Sequence, residues 1–188
     1  IFIMIISRTP YRISFFGGGS DYPSWYNEYG GEVLSTAIDK YVYLSMRELP
    51  LFFKHKYRIV YSKIEIANNL DEIRFNVIKQ MIKYYKVKNN LEIHYDGDLP
   101  ARSGMGSSSS FVVGLIKTFS CFLNNKITKK KLAHASILFE QKILKELVGS
   151  QDQVAASYGG FNSIKFNKKD NFSINKYQYS ELMFKTFS

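Results

Sequence analysis

The sequence predicts an α+β domain, because segments rich in β-branched and aromatic residues come first and helical segments are interleaved only later. The 188 residues are 45% hydrophobic and 22% charged, and they include 15 Phe and 14 Tyr. This composition provides enough apolar surface for a core and excludes intrinsic disorder. The absence of a regular strand and helix alternation argues against a doubly wound parallel sheet.

The strands are expected mainly in the first half, between Gly, Pro and Asp residues that punctuate the chain. Alternating apolar and polar residues over 41–46 indicate a half-buried strand. The predicted strands are Phe2–Arg8, Tyr11–Phe16, Glu32–Ala37, Tyr41–Glu48, Tyr57–Ser62, Leu91–Tyr95 and, near the end, Phe161–Phe166.

The helices are predicted from apolar residues at helical spacing and from capping residues. A short helix is expected to begin near Ser20-Asp21, with Pro23 in its first turn, and to end at Gly30. The longer predicted helices are Leu70–Tyr85, Ser107–Leu123 and Thr128–Leu147, the last with Thr128 as its N-cap, and a shorter one follows at Gln151–Ser157.

The charge and composition of the chain limit the kinds of ligand and cellular environment that we expect for it. The longest apolar stretch, Ile1–Ile6, is far below the roughly 20 residues of a membrane-spanning helix, so we expect a cytoplasmic protein with no membrane partner. The single Cys121 fits a reducing compartment. The net charge of +10 favours anionic ligands, but the densest basic run, Lys129–Lys131, has no interleaved aromatic residues to stack bases. We therefore expect a phosphorylated small molecule rather than a nucleic acid.

A glycine- and serine-rich loop precedes the helix predicted at Ser107–Leu123. Glycines let a phosphate approach the backbone, and the N–H groups of a first helical turn point at it, so the segment is typical of an anion site. It is neither a Walker loop nor a dinucleotide fingerprint, because the required Lys and third glycine are missing. The alternative is a flexible serine loop that only caps a helix.

Glu140 is the first of two acidic candidates. Helical counting places Glu140 on an apolar stripe with Ile137 and Leu144, where a carboxylate needs a cation such as Mg²⁺ or a basic side chain. A glutamate that reaches solvent or pairs with a lysine is the equal alternative.

Asp152 lies at a glycine-punctuated helix start, where an acid favoured by the helix dipole is the more ordinary reading. Farther upstream, three glycines end a strand and Asp21 follows them. Asp21 is therefore either a sugar-hydroxyl acceptor or a helix cap.

Together these segments resemble the GHMP small-molecule kinases, which include galactokinase, homoserine kinase and mevalonate kinase. More narrowly, three stretches resemble the D-glycero-D-manno-heptose 7-phosphate kinases: Ser14 to Pro23, Asp96 to Gly104, and Val148 to Ala155. The resemblance implies a two-layer N-terminal domain, similar in fold to a ribosomal-protein domain. It also implies ATP and Mg²⁺ as cofactors, and transfer of the γ-phosphate to the anomeric hydroxyl of the heptose on the route to surface polysaccharide.

The resemblance also implies roles for individual residues. Asp152 corresponds to the acid beside the accepting hydroxyl, and Arg12 to the arginine that keeps this acid ionised. Glu140 and Ser108, with Ser107 as the alternative serine, correspond to the Mg²⁺ ligands. The nucleotide phosphates are expected on Gly104, Met105, Gly106, Ser107, Ser108 and Ser109, and the sugar on Asp21, Gly18 and Gly19. A basic group is expected to hold the sugar phosphate, with Lys54, His55, Lys56, Arg58 and Arg102 as candidates.

Two departures from the family pattern affect the expected function. Gly18 and Gly19 stand where galactokinases carry Glu-His, so the sugar is expected to be bulkier or differently held. The superfamily's third glycine-rich motif lies in a ferredoxin-like C-terminal domain, and no glycine follows Gly160 here. We therefore expect residues 1–166 to be the N-terminal ATP and substrate domain and residues 167–188 to begin the connection to an absent domain. Two alternative functions remain open: an inactive half-kinase that binds nucleotide or a partner, and a kinase for another sugar such as galactose or fucose. A homodimer is also an open expectation.

Overall fold

One mixed β-sheet, covered on one face by helices, organises the chain. The computed structural model describes residues 4–100, 103–168 and 171–178. The strands are β1 Met4–Phe16, β2 Gly31–Glu48, β3 Tyr57–Val60, β4 Ile64–Ala67, β5 Leu91–Gly97, β6 Phe161–Asn167 and β7 Asn171–Tyr177. The α-helices are α1 Pro23–Tyr29, α2 Asn76–Tyr85, α3 Ser107–Phe122, α4 Lys129–Leu138 and α5 Gln151–Tyr158. The predicted α+β class is confirmed.

The long strand β2 is the centre of the sheet. Its first half pairs with β6 and its second half with β5, both antiparallel, in a sheet of order β4-β3-β5-β2-β6-β7. Strand β1 pairs along β2, and β3 is parallel to β5. The pairing of β7 with β6 extends the sheet beyond residue 166.

The predicted breaks within the two long strands are absent. Strand β1 is continuous through Pro10, and its register with β2 shifts between Pro10 and Arg12. A proline is tolerated here because β1 pairs with β2 alone among the described strands, so its other side needs no ladder donor. Strand β2 likewise runs through residues 38–40.

Two predicted helices are shorter than expected. Leu70–Tyr85 divides into a 3₁₀ turn at Leu70–Glu72 and helix α2, because the Glu65 carboxylate accepts the backbone N–H groups of Arg74 and Phe75 at 2.8 and 3.3 Å. Thr128 caps α4 as predicted, but the helix widens into a π-helical turn at Phe139–Ile143 and does not reach Leu147.

The core forms between the helices and one face of the sheet. Helix α3 lies on β1 and β2, where a Cβ atom at Gly114 would stand 2.7 Å from the Thr9 hydroxyl. The largest buried side chains of the main core include Leu44, Met46, Ile59 and Phe119, whereas Tyr26, Val154 and Ile164 belong to a second cluster. Helices α3 and α5 are thereby fixed with their first turns near the end of β1. In the described part of the chain, no helix has the length and apolarity needed to cross a bilayer.

Candidate active site

The sequence-predicted segments meet around one cavity of about 300 Å³. It lies where the end of β1, the start of α3 and the start of α5 come together. Its lining consists of Arg12, Gly19, Asp21, Tyr22, Ser108, Ser109, Val148, Gly149, Gln151 and Asp152.

The glycine-serine loop opens α3, as the sequence predicted. Gly104 and Gly106 adopt φ of 75° and 73°, which side-chain-bearing residues rarely do. The first N–H to bond back along the helix is that of Ser110, to the Gly106 carbonyl at 2.9 Å, so the preceding N–H groups of this turn have no partner within the helix. This turn therefore presents donors suited to an anion.

Arg12 joins the loop to the acid on α5. Its Nε and Nη2 atoms lie 2.8 and 2.7 Å from Asp152 Oδ1, and its Nη1 atom donates to the Gly104 carbonyl at 2.8 Å. The backbone N–H of Arg12 donates to the Met105 carbonyl at 3.1 Å. A Cβ atom at Gly106 would stand 3.1 Å from Asp152 Oδ2, so the carboxylate directly faces the phosphate-type loop.

Burial controls the acidity of Asp152. The side chain of Asp152 is 24% exposed, and burial raises its pKa above the ordinary aspartate value. The Arg12 guanidinium opposes this shift, as expected from the sequence, while the nearby Asp21 carboxylate adds to it. The net direction is upward, which makes Asp152 a stronger proton acceptor than an ordinary aspartate.

Glu140 is fully buried, at the start of the π-helical turn, so of the two equal expectations the structure shows the carboxylate on the apolar stripe and not one that reaches solvent. Ser109 Oγ donates to its two carboxylate oxygens at 3.1 and 2.9 Å, and the Gln153 amide donates to Oε2. Burial raises the pKa of Glu140 to about 7, although these two donors oppose the shift. Ser109 rather than Ser108 contacts Glu140, and Ser108 is exposed on the cavity side.

The surroundings of Glu140 suit a cation. In the described residues its hydrogen-bond partners are neutral, and no group of three or more His, Cys, Asp or Glu side chains could form an all-protein metal cage. Mg²⁺ commonly binds through one or two carboxylates together with substrate phosphates, so one buried glutamate beside an anion loop fits this ion.

Asp21 is buried, with 1% of its surface exposed, and it joins two segments. Oδ1 accepts the N–H of Gly19 and Oδ2 accepts the N–H of Gln151, both at 3.1 Å. The expectation that Ser20-Asp21 caps α1 is wrong: Tyr22 occupies that N-cap position, and the Asp21 carboxylate faces the start of α5. The Gly149 backbone makes room for it, because a Cβ atom there would lie 1.9 Å from Oδ2.

The three consecutive glycines differ in their surroundings. Gly17, at φ 86°, packs against β2, where its Cβ atom would lie 1.9 Å from the Glu32 carbonyl. Gly18 has open space apart from the Gln151 amide at 3.9 Å, and Gly19 has nothing within 4 Å. Gly18 and Gly19 therefore provide the open surface that was predicted.

The basic candidates for a sugar phosphate are not at this cavity. Arg58 pairs with Glu92, and none of Lys54, His55, Lys56 and Arg58 is among the lining residues. Arg102 lies outside the described residues.

Sequence reasoning gave no role to Ser14, Gln151 or Gln153. Ser14 Oγ donates to Gln151 Oε1 at 2.7 Å, across 137 residues of chain. The sequence does show a glutamine on either side of Asp152, which could have drawn attention to these positions. Sequence spacing alone, however, does not reveal which residues the two glutamines contact.

Comparison with known proteins gives a consistent result. Residues 73–160 match the family described as GHMP kinases N terminal domain. The chain is 29% identical over 180 residues to the D-glycero-alpha-D-manno-heptose 7-phosphate kinase of Campylobacter jejuni, covering 91% of this chain and 53% of that protein. It is also 29% identical over 136 residues to the homoserine kinase of Staphylococcus haemolyticus, covering 70% of this chain and 41% of that protein. The chain thus spans about half the length of these curated relatives.

The fold comparison agrees. A crystal structure of a D-glycero-D-manno-heptose 1-phosphate kinase from Bacteroides thetaiotaomicron superposes with a TM-score of 0.85 at 26% identity, covering 96% of this chain and 62% of that one. A galactokinase from Lactococcus lactis, complexed with galactose, shares the fold at a TM-score of 0.73 and 20% identity, covering 95% of this chain and 48% of that one. Residues 73–160 are thus similar to the N-terminal domain of the GHMP kinases, and the described residues have the fold of that domain.

Proposed function

We propose that this chain is the nucleotide- and acceptor-binding part of an ATP-dependent kinase that phosphorylates the anomeric hydroxyl of D-glycero-D-manno-heptose 7-phosphate. One observation carries the proposal: the partly buried Asp152 carboxylate faces Gly106 of the anion-type loop and is held there by Arg12. A proton acceptor beside a phosphate site is the arrangement that phosphoryl transfer to a hydroxyl requires.

The nucleotide phosphates are assigned to the loop that opens α3. Gly104 and Gly106 leave the backbone accessible, and the hydroxyl of Ser103 in the same loop is buried without a partner among the described residues. An unpartnered buried hydroxyl is costly, so a ligand oxygen at this loop would stabilise it. Met105, Ser107, Ser108 and Ser109 complete the proposed phosphate site.

A second cavity, of about 540 Å³, is a candidate for the nucleotide base. It lies at the end of β5, directly before the loop, and is lined by Val60, Tyr61, Ser62, His94, Tyr95, Asp96, Gly97 and Leu99. Two tyrosines and three apolar or glycine positions provide surface on which a planar base can stack.

Mg²⁺ is assigned to Glu140 and Ser108. Bound there, the ion would neutralise charge on the transferring phosphoryl group. Glu140 fits this role because it is a buried carboxylate with neutral partners, and Ser109 and Gln153 hold its oxygens in place.

The proton-transfer step belongs to Asp152. Its Oδ2 atom accepts the proton of the attacking hydroxyl, while Arg12 holds Oδ1 and so fixes the orientation of the carboxylate. The acceptor sugar is assigned to the open surface of Gly18 and Gly19 and to Asp21, all close to the start of α5. The heptose phosphate is proposed as the sugar because the Campylobacter jejuni relative bears that name and matches 91% of this chain.

A coupled ADP-release assay tests the proposal, with D-glycero-D-manno-heptose 7-phosphate, the unphosphorylated heptose, galactose, fucose, homoserine and mevalonate as acceptors. We expect turnover to be highest with the heptose 7-phosphate and to be lost in Asp152→Asn. Asp71→Asn, which changes an exposed aspartate on the surface, serves as the matched control. Equal activity of wild type and Asp152→Asn, or a clear preference for homoserine or mevalonate, would contradict the proposal.

A further inference from the structure

The side-chain amide of Gln151 lies in the proposed acceptor cavity, where its oxygen atom is hydrogen-bonded to the protein and its nitrogen atom, among the described residues, is not. Gln151 is the first residue of α5, directly before Asp152, and both line the same cavity. Its backbone N–H donates to Asp21 Oδ2 at 3.1 Å, and its Oε1 atom accepts the Ser14 hydroxyl at 2.7 Å. The acceptor half of the amide is therefore occupied by protein.

The donor half of the amide is unoccupied. Across the described residues, Nε2 of Gln151 has no hydrogen-bond partner. The facing position is Gly18, where even a Cβ atom would remain 3.9 Å from Nε2. A longer side chain at position 18 would cover the amide, so the glycine keeps its two N–H groups accessible from the cavity.

The charges around this amide decide what it can bind. Arg12 is the one basic residue among the described lining residues, and Asp152 and the Gly104 carbonyl already occupy its guanidinium. Asp21 and Asp152 add two carboxylates. An anionic oxygen would be repelled here, whereas a neutral hydroxyl oxygen would accept a hydrogen bond from the amide.

We propose that Gln151 is a specificity-determining residue that donates to the hydroxyl next to the one being phosphorylated, so that the site selects a vicinal diol. This inference rests on the proposed function, in which Asp152 receives the proton of the reacting hydroxyl. Because Gln151 and Asp152 both line this cavity, their side chains are placed to contact neighbouring atoms of one acceptor. For transfer to an anomeric oxygen, the neighbouring hydroxyl is the one on C2.

The test removes the Gln151 amide from the protein and the C2 hydroxyl from the ligand, singly and together, and compares the sugar affinities. The affinities are measured by titration calorimetry with Mg²⁺ and a non-hydrolysable ATP analogue present. The probes are D-mannose 6-phosphate and 2-deoxy-D-glucose 6-phosphate, which lacks the C2 hydroxyl. Wild type should bind the first about 5-fold or more tightly than the second, as expected for one hydrogen bond. Gln151→Met should bring this ratio close to one, because its side chain has no N–H donor, and Gln80→Met on α2 should keep it.

Two results would overturn the inference: an equal affinity of wild type for both probes, or a wild-type ratio that survives in Gln151→Met. Gln151→Leu, a second variant without an N–H donor, should behave like Gln151→Met, and retained affinity for the ATP analogue shows that each variant is folded. Affinity for the ATP analogue is measured separately in each protein. If wild type does not bind the ATP analogue, the proposed function itself is contradicted. If wild type and the Gln151 variants bind the analogue but have the same ratio of sugar affinities, only the role of Gln151 is contradicted.

Discussion

Arg12 holds three parts of the candidate site together. Its guanidinium contacts Asp152 and the Gly104 carbonyl, and its backbone N–H donates to Met105. The side chain is 11% exposed, so its charge is poorly screened and acts on Asp152 at close range. The position therefore sets both the geometry of the acid and its protonation.

Replacing Arg12 by Met should shift the pH profile of activity. Arg12 lowers the pKa of Asp152 against the effect of burial, so its removal lets that pKa rise further. Since Asp152 is proposed to act in its deprotonated form, the acidic limb of kcat should move to higher pH, and kcat at pH 7 should fall about 10-fold to 100-fold. Arg12→Lys should recover part of the pH shift, because it restores the charge without the two-pronged contact. An unchanged acidic limb in Arg12→Met would show that this charge does not control the acid.

Glu140 should make Mg²⁺-nucleotide binding pH-dependent. Burial raises its pKa to about 7, so near neutral pH part of the population carries a proton that a bound cation must displace. Affinity for Mg²⁺ with a non-hydrolysable ATP analogue should therefore increase from pH 6 to pH 8, with proton release detectable by calorimetry in buffers of different ionisation enthalpy. Glu140→Gln should remove both the increase and the proton release. Equal proton release by wild type and variant would place the metal ligand elsewhere.

Three consecutive side chains at the start of helix α5 contact three different parts of the candidate site. Gln151 bonds Ser14 at the cavity, Asp152 bonds Arg12, and Gln153 reaches inward to Glu140. The spread follows from the roughly 100° turn between successive helical residues. A shift of this helix would therefore disturb the acid, the acceptor surface and the metal carboxylate at the same time.

The open face of the sheet carries a separate ion cluster on β2, β3 and β5. Glu92 is 3% exposed, and it accepts hydrogen bonds from Arg47, Arg58 and His94. Burial alone would raise the pKa of Glu92, but these donors outweigh it and lower the pKa to about 2. The cluster cross-links three strands on the side of the sheet away from the helices.

Glu92→Gln should destabilise the protein in a pH-dependent way. Because the pKa in the folded state lies below the unfolded value, the cluster stabilises fully above about pH 5 and loses its effect as the pH falls towards 2. We expect a loss of about 2 kcal/mol at pH 7, after allowing for screening at the partly exposed arginines, and a smaller loss at pH 3. Urea unfolding at both values checks this, with Glu28→Gln on α1 as control. A loss that is equal at pH 7 and pH 3 would contradict the charge argument.

The sequence predicted the helices and strands whose boundaries are set by residues close by in the chain. Two glycines and a run of serines before an apolar stripe fixed the start of α3, and Thr128 fixed the start of α4. The interruption before α2 was not predictable in this way, because the Glu65 carboxylate that captures the N–H groups of Arg74 and Phe75 lies nine or ten residues upstream. Strand β4 was not predicted, whereas β3, which also has four residues, was.

The same distinction applies to the site. Helical counting placed Glu140 on the apolar stripe of its own helix, although it left burial and exposure as equal alternatives. The long-range partners of Gln151 could not be predicted, because Asp21 and Ser14 lie 130 and 137 residues from it in sequence. The pairing of β1 with β2 and the packing of α5 bring them near.

At the scale of the whole molecule, the proposed acceptor cavity depends on a junction between the segment after β1 and the start of α5. Asp21 makes that junction: its carboxylate binds the N–H groups of Gly19 and Gln151, and its backbone carbonyl accepts the N–H of Ser150 at 2.9 Å. The glycine-rich segment after β1 and the start of α5 are therefore held against each other by one buried residue.

Asp21→Ala should weaken both the fold and the site. The N–H groups of the exposed Gly19 and the half-buried Gln151 lose their acceptor, so the free energy of unfolding should fall by about 1 kcal/mol in urea titrations, whereas Asp39→Ala on β2 should leave it nearly unchanged. Because the Asp21 charge raises the pKa of Asp152, its removal should also move the acidic limb of kcat to lower pH, opposite to the effect of Arg12→Met. If Asp21 instead serves only as a ligand for the sugar, Asp21→Ala will raise the KM for the acceptor with no change in unfolding free energy or pH profile. Measuring all three quantities on the same variant decides between the junction and a contact limited to the substrate.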